Sequence, residues 1–167
     1  MSTLHTRDAI STPFRLLDMG VPAFMVSTSL QGVIAQRLVR LNCRECSAPH
    51  TPTAQESSWL NGMLSGLLNG NPGAGDTVSP KRGLGCSVCN GTGYAGRQGV
   101  YELFEMDALL TQAASKADPA DFMRMARERM KGQTMAFHAL ELVRQGRTSL
   151  AEAMRIGFEI DAAEAEG

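Results

Sequence analysis

The residues most able to do chemistry are four cysteines in two pairs, Cys43-Arg-Glu-Cys46 and Cys86-Ser-Val-Cys89. A two-residue spacer lets both sulfurs of a pair face one ion, and two such pairs supply the four thiolates of a tetrahedral zinc shell. With all four positions filled by sulfur, no position is left for a water, so such a zinc would be structural rather than catalytic. The same residues admit thiol redox chemistry, either as disulfides or as reactive CxxC pairs. In a reducing compartment the metal reading comes first. The magnitudes point the same way: a structural zinc contributes roughly 10–16 kcal/mol of apparent binding free energy, against ~2–4 kcal/mol for a disulfide. His50 offers an alternative ligand through Cys46-x3-His50, and is otherwise a loop histidine.

Cys89-Asn90-Gly91-Thr92-Gly93 completes a CxxCxGxG unit. It resembles the zinc repeats of the heat-shock co-chaperones, which use several copies. Only one copy occurs here, and the other pair continues Ser47-Ala48-Pro49 without the glycines. The glycines are expected to allow a tight backbone turn beside the metal.

The elements that must position these sulfurs can be read from periodicity and punctuation. Ser2 to Thr6 alternates like a strand, with His5 near its end. Asp8 to Met19 has helical spacing at Ile10, Phe14 and Leu17, with Gly20 as a stop, and the helix either begins near Ser11 with Pro13 in its first turn or is bent at Pro13. A second helix is expected from Pro22 to about Arg40, delivering the chain to Cys43. Thr53-x-x-Glu56 has the form of a capping box ahead of Trp59, Leu60, Met63, Leu64, Leu67 and Leu68. Residues 69–85, rich in Gly and Pro, are expected to return as a loop, and Gly99 to Met106 as a short strand. Asp107 can cap a following helix, Asp118-Pro119 start the next, Thr134 to Gln145 form a third, and Thr148 or Ser149 cap the last. The ten residues after Gly157 look frayed. The fold class is therefore α+β, mostly helical, divided as 1–40, 41–98, 99–157 and a tail of 158–167.

Composition bounds the function. Of 167 residues, 43% are apolar and 20% charged, as in a globular protein. The net charge of −1 gives no polybasic surface, so no nucleic-acid partner is expected. The apolar-leaning stretch Val21 to Leu41 is interrupted by Ser27, Thr28, Ser29, Gln31, Gln36, Arg37 and Arg40, so no membrane insertion is expected. No cleavable signal pattern begins the sequence, and a cytoplasmic location is the expectation. Ten methionines are spread over several helices, as core filling.

STLHTRDA, RLLDMGVP, VIAQRLVRLNCREC, GCSVCNGTGYAGRQGVYELFEM and QGRTSLAEAMRI, in this order and spacing, resemble the C-terminal part of the type II secretion and type IV pilus assembly ATPases. Within that family, DAISTPFRLLDMGVP most resembles the ATPases of mannose-sensitive haemagglutinin pilus biogenesis. The resemblance implies a C-terminal piece of a RecA-like P-loop ATPase domain with an inserted tetracysteine zinc module. STLHT would then be the histidine box, with His5, Thr3 and Thr6 sensing nucleotide together with Arg15. Arg37 and Arg40 would have intersubunit roles, although two arginines near a helix C-terminus also complement its dipole. The implied parent is a hexamer at the inner membrane, using ATP and Mg2+ to drive a membrane platform protein, with the zinc module helping to couple the two.

The sequence holds no GxxxxGK[ST] and no Walker B strand to hold magnesium. The chain therefore looks like a fragment or a partial frame, and is expected to be inactive as an ATPase alone. Its first strand would lie open at both edges, so residues 1–8 are expected to be disordered or paired with another strand. A stand-alone zinc-binding adaptor and a thiol redox protein are the competing readings.

Overall fold

The computed structural model describes residues 3–67, 78–115 and 119–164. In chain order its elements are α1 (Thr12–Asp18), α2 (Ala23–Ser29), β1 (Gly32–Asn42), β2 (Ser47–Pro49), α3 (Ala54–Leu67), β3 (Lys81–Gly83), β4 (Tyr94–Glu105), α4 (Ala108–Ser115), α5 (Pro119–Arg129), α6 (Met135–Arg144) and α7 (Leu150–Glu164). They divide into two compact units, residues 1–36 with 101–134 and residues 37–100 with 135–167. Residues 135–167 thus join the unit that holds the cysteines.

The first unit is organised around aromatic side chains. Phe122 of α5 meets Phe14 of α1 and Phe104 of β4 edge to face, with centroids 5.2 and 6.1 Å apart, the arrangement the ring quadrupoles favour. Ala9, Ile10, Leu110, Ala126 and Met130 are buried around them. Pro13 sits in the first turn of α1, and Gly20 ends it with φ +85°. Asp107 caps α4, its Oδ1 accepting the Leu110 N–H at 2.9 Å.

The second unit buries the facing sides of α6 and α7, including Met135, Ala139, Leu140 and Val143 with Leu150, Ala153 and Ile156. Ser149 caps α7, its Oγ accepting the Glu152 N–H at 3.3 Å. Glu152 is only 2% exposed, and both its carboxylate oxygens are engaged. Oε1 accepts from Arg40 Nε at 3.0 Å and Nη2 at 2.7 Å, and Oε2 accepts the Arg40 backbone N–H at 2.9 Å and Arg155 Nη2 at 3.4 Å. The Arg40 guanidinium also lies 4.2 Å from the centre of the Tyr94 ring. Burial pushes the Glu152 carboxyl up, but the Arg40 guanidinium and backbone N–H, with Arg155, outweigh it and hold the group below the usual carboxylate range.

Five expectations are corrected. The helix placed over Pro22 to Arg40 ends at Ser29, and Gly32–Asn42 is a strand. Side chains at 33, 35, 37 and 39 are more buried than those at 34, 36, 38 and 40, the two-residue period of a sheet face. The Met106 N–H donates to the Gln31 carbonyl at one end and the Cys43 N–H to the Gly93 carbonyl at the other, so β1 and β4 pair antiparallel. Arg37 and Arg40 accordingly sit on a strand, and no helix dipole acts on them. Second, Thr3–Thr6 is not a strand. No strand among the described residues pairs with it; beyond it, the Ala9 N–H donates to buried Glu102 at 2.6 Å and the Ser11 N–H to Asp8 Oδ1 at 2.7 Å.

Third, Lys81–Gly83 is a strand within the stretch expected as loop, and pairs antiparallel with β2 in the register Ser47 to Gly83, Ala48 to Arg82 and Pro49 to Lys81. Residues 68–77 and Asp118 lie outside the described residues. Fourth, α7 stays helical to Glu164, into the expected tail. The strand expected from Gly99 begins earlier, at Tyr94.

Candidate metal centre

β1 carries the chain directly into Cys43, and a tight turn brings Cys46 to the start of β2. On the other side, β3 ends at Gly83 and leads into the turn that holds Cys86 and Cys89. The β2–β3 pairing therefore sets the two CxxC turns side by side. Leu84 N–H donates to the Cys46 carbonyl at 3.0 Å, and Gly91 N–H to the Cys86 carbonyl at 2.8 Å.

Two glycines make this crossing possible. A Cβ on Gly83 would overlap the Gly93 carbonyl, and one on Gly93 would meet the Gly83 oxygen at 2.5 Å. Gly93 also holds φ +76°, which side-chain-bearing residues rarely adopt. Its carbonyl accepts from Cys43 and its N–H points at Cys89 Sγ at 3.2 Å, so one residue touches both pairs.

The four sulfurs lie within 4.8 Å of one another. Cys43 to Cys86 is 3.9 Å, Cys46 to Cys89 is 3.8 Å and Cys86 to Cys89 is 3.7 Å. A tetrahedron of sulfurs about an ion at ~2.3 Å has edges of about 3.8 Å, so these spacings fit one central ion. They exceed a disulfide bond of ~2.05 Å, and all four cysteines are free. Cys43 and Cys89 are buried, which shields the centre from solvent.

Backbone donors complete the arrangement. Gly85 N–H reaches Cys46 Sγ at 3.3 Å, while Cys86 and Gly93 N–H reach Cys89 Sγ at 3.2 Å each. Burial pushes the Cys89 thiol up, but those two N–H groups and the neighbouring thiols outweigh it and bring it down to about 6. At Cys46 burial prevails over the single N–H from Gly85 and, with the neighbouring thiols, raises the group to about 11. The two N–H groups at Cys89 thus favour a thiolate there. A cation that takes all four sulfurs must displace protons from the rest.

His50 is not in the cluster. Its Nε2 bonds Glu56 Oε2 at 2.8 Å, and both side chains are nearly buried. Glu56 also accepts the Thr53 N–H at 2.8 Å while Thr53 Oγ1 accepts the Glu56 N–H at 3.3 Å, so the capping box forms and gains a histidine. Burial raises the Glu56 carboxyl, and Thr53 and His50 outweigh it to leave it low.

The remaining sequence-derived residues lie elsewhere. Thr3 and His5 are exposed in the segment before α1, Arg15 is exposed on α1, and Thr6 Oγ1 bonds Thr12 Oγ1 at 3.0 Å. No hydrogen bond or ion pair joins these four to one another among the described residues. Arg37 is half-buried on β1, and Arg40 is engaged by Glu152 and Tyr94. The sequence reading missed the N–H donors of Gly85 and Gly93 and the Glu152 clamp. The glycine spacing signalled the first, and nothing local signals the second.

The chain matches the family model described as type II/IV secretion system protein over residues 1–155. It is 35% identical over 159 residues to the type II secretion system ATPase E of Vibrio cholerae, covering 95% of this chain and 29% of that protein. It is 38% identical over 162 residues to the type II secretion system protein E of Aeromonas hydrophila, covering 95% of this chain and 30% of that protein. To the type IV pilus assembly ATPase TfpB of Acinetobacter baylyi it is 31% identical over 159 residues, covering 93% and 25%. The chain thus spans less than a third of the length of these relatives. No helix among the described residues is long and apolar enough to cross a membrane.

Proposed function

Because this chain belongs to the type II/IV secretion system protein family, we propose that it serves a hexameric ATPase motor of type IV pilus assembly or type II secretion as the segment carrying a zinc-stapled module. The observation that carries the reading is the cluster of four free thiols with spacings of 3.7–3.9 Å along its measured edges, in a chain that the family match covers over residues 1–155.

In this reading Cys43, Cys46, Cys86 and Cys89 hold one structural Zn2+. Bound zinc supplies no reaction here; it ties the two turns together. The surrounding chain is part of a RecA-like core, in which His5, Thr3, Thr6 and Arg15 sense the nucleotide of the assembled motor. Arg37 and Arg40 face neighbouring subunits, although an intersubunit role for Arg40 would compete with its contacts to Glu152 and Tyr94. The motor works on the cytoplasmic side of the inner membrane against a platform protein, and belongs to the mannose-sensitive haemagglutinin branch.

Native mass spectrometry of the purified chain tests the module. One zinc per chain, lost together with folding on chelation or in Cys86→Ser, is expected. A metal-free chain prepared under reducing conditions with zinc available would overturn it. The chain alone is expected to turn over no Mg-ATP at ordinary enzyme rates; turnover abolished by His5→Ala would refute that assignment. A thiol redox protein is the second reading, favoured by two free thiols 3.7 Å apart in Cys86–Cys89. It predicts a rapid alkylation at near-neutral pH that added zinc does not suppress.

A further inference from the structure

A cavity of about 550 Å³ opens in the second unit between the first cysteine turn and the loop joining α6 to α7. Its size falls within the range of small-ligand sites, ~300–1,000 Å³. Leu41, Val88 and Ala95 give it an apolar wall, and Val88 is among the most exposed large apolar side chains. Arg44 and Arg147 stand at its rim, exposed and without an ion-pair partner among the described residues, with Glu45 as the single carboxylate beside them. The charged rim is thus net positive.

Two polar atoms of lining residues are buried without a hydrogen-bond partner, Asn42 Oδ1 and Ser47 Oγ. The Asn42 amide cannot turn to relieve this, because its Nδ2 donates to the Lys81 carbonyl at 3.1 Å and the Gly146 carbonyl at 3.2 Å. Leaving such an atom unpaired costs about 1–3 kcal/mol, so each is a place where a bound group can supply the missing partner. Arg44 and Glu45, between Asn42 and Ser47 in sequence, are exposed at the rim of the same cavity.

From these features we infer that the cavity is a binding site for a short acidic peptide segment with an apolar residue beside the acid. A fully deprotonated anion such as sulfate would suit the arginines but offers no hydrogen to Asn42 Oδ1, which only accepts, and no small inorganic anion covers the apolar wall. A peptide supplies both: its N–H groups donate to Asn42, its carbonyls accept from the Ser47 hydroxyl, its carboxylate meets Arg44 and Arg147, and its apolar side chain covers Leu41, Val88 and Ala95. The inference stands on the second unit alone and does not depend on the motor reading.

The test is a nuclear magnetic resonance titration of the isotope-labelled full chain with acetyl-Leu-Asp-Leu-Asp-amide, and with its Lys counterpart as control. The acidic peptide is expected to give saturable shifts at Val88, Ala95 and the Asn42 side-chain amide, with the Lys peptide at least tenfold weaker. Arg44→Glu combined with Arg147→Glu, two exposed changes that leave the unfolding midpoint in place, should weaken the acidic peptide at least tenfold. Ser47→Ala should weaken it severalfold. No saturable shift at millimolar peptide, equal binding of both peptides, or indifference to the double charge reversal would each overturn the site.

Discussion

Arg40→Met separates a buried clamp from an ordinary surface ion pair. The two partners are unequal: the Arg40 side chain is 54% exposed and Glu152 only 2%. An exposed pair contributes ~0–1 kcal/mol, whereas removing one partner of a buried pair costs ~3–5 kcal/mol because the other charge is left uncompensated. Methionine keeps the backbone N–H to Oε2, and Arg155 remains at 3.4 Å, so the loss should fall at or just below the lower end of that range, about 2–3 kcal/mol. With a urea dependence of ~2 kcal/mol per molar, the unfolding midpoint should drop by about 1–1.5 M. Trp59 reports on the correct unit, because its indole nitrogen lies 3.0 Å from where a Gly157 Cβ would stand. The direction with pH follows from the carboxylate. Glu152 is held low in the folded chain, so its contribution is present above the unfolded value of ~4.3 and is lost as pH falls through the folded value. In the variant Glu152 protonates more readily, and the gap between the two proteins should narrow as pH drops toward 4. A midpoint shift under ~0.3 M, or a gap that does not change with pH, would refute the argument.

Gly93→Ala should fail to hold zinc at wild-type affinity, since the new Cβ meets the Gly83 carbonyl at 2.5 Å; competition against a chromophoric chelator would show it, and unchanged affinity would count against the crossing. Thr53→Ala should cost about 1 kcal/mol, read again by Trp59 in urea, whereas a neutral outcome would mean that Glu56 and His50 hold the cap without it. Phe122→Ala should cost about 3–5 kcal/mol by removing the ring between Phe14 and Phe104. That loss should appear in the hydrogen exchange of α4 and α5; exchange there as slow as in the wild type would contradict this account of the core.

The cluster was legible because a CxxC turn is a local pattern, and the α3 cap for the same reason: Thr53 and Glu56 meet three residues apart. β1 was misread because GVIAQRLVRL satisfies helical and sheet spacing alike. What decides it is pairing with β4, some sixty residues on, which no local window contains. STLHT shows the converse. Alternation alone does not make a strand when no neighbouring strand among the described residues pairs with it. The Glu152 clamp joins residues 112 positions apart, and the three-residue strands β2 and β3 are too short to leave a periodic trace.

The β2–β3 pairing has a consequence for chain entropy. The register closes from Ser47–Gly83 to Pro49–Lys81, and the His50 N–H then donates to the Pro80 carbonyl at 2.8 Å. The ring that a metal closes is therefore a few residues around, not the 39 that separate Cys46 from Cys86 in sequence. Helix α3 beyond it packs against α7, and the paired neck divides the sulfurs from the connection between His50 and Pro80. Lengthening it costs only about 0.6 kcal/mol for each doubling, paid at the neck and not at the sulfurs.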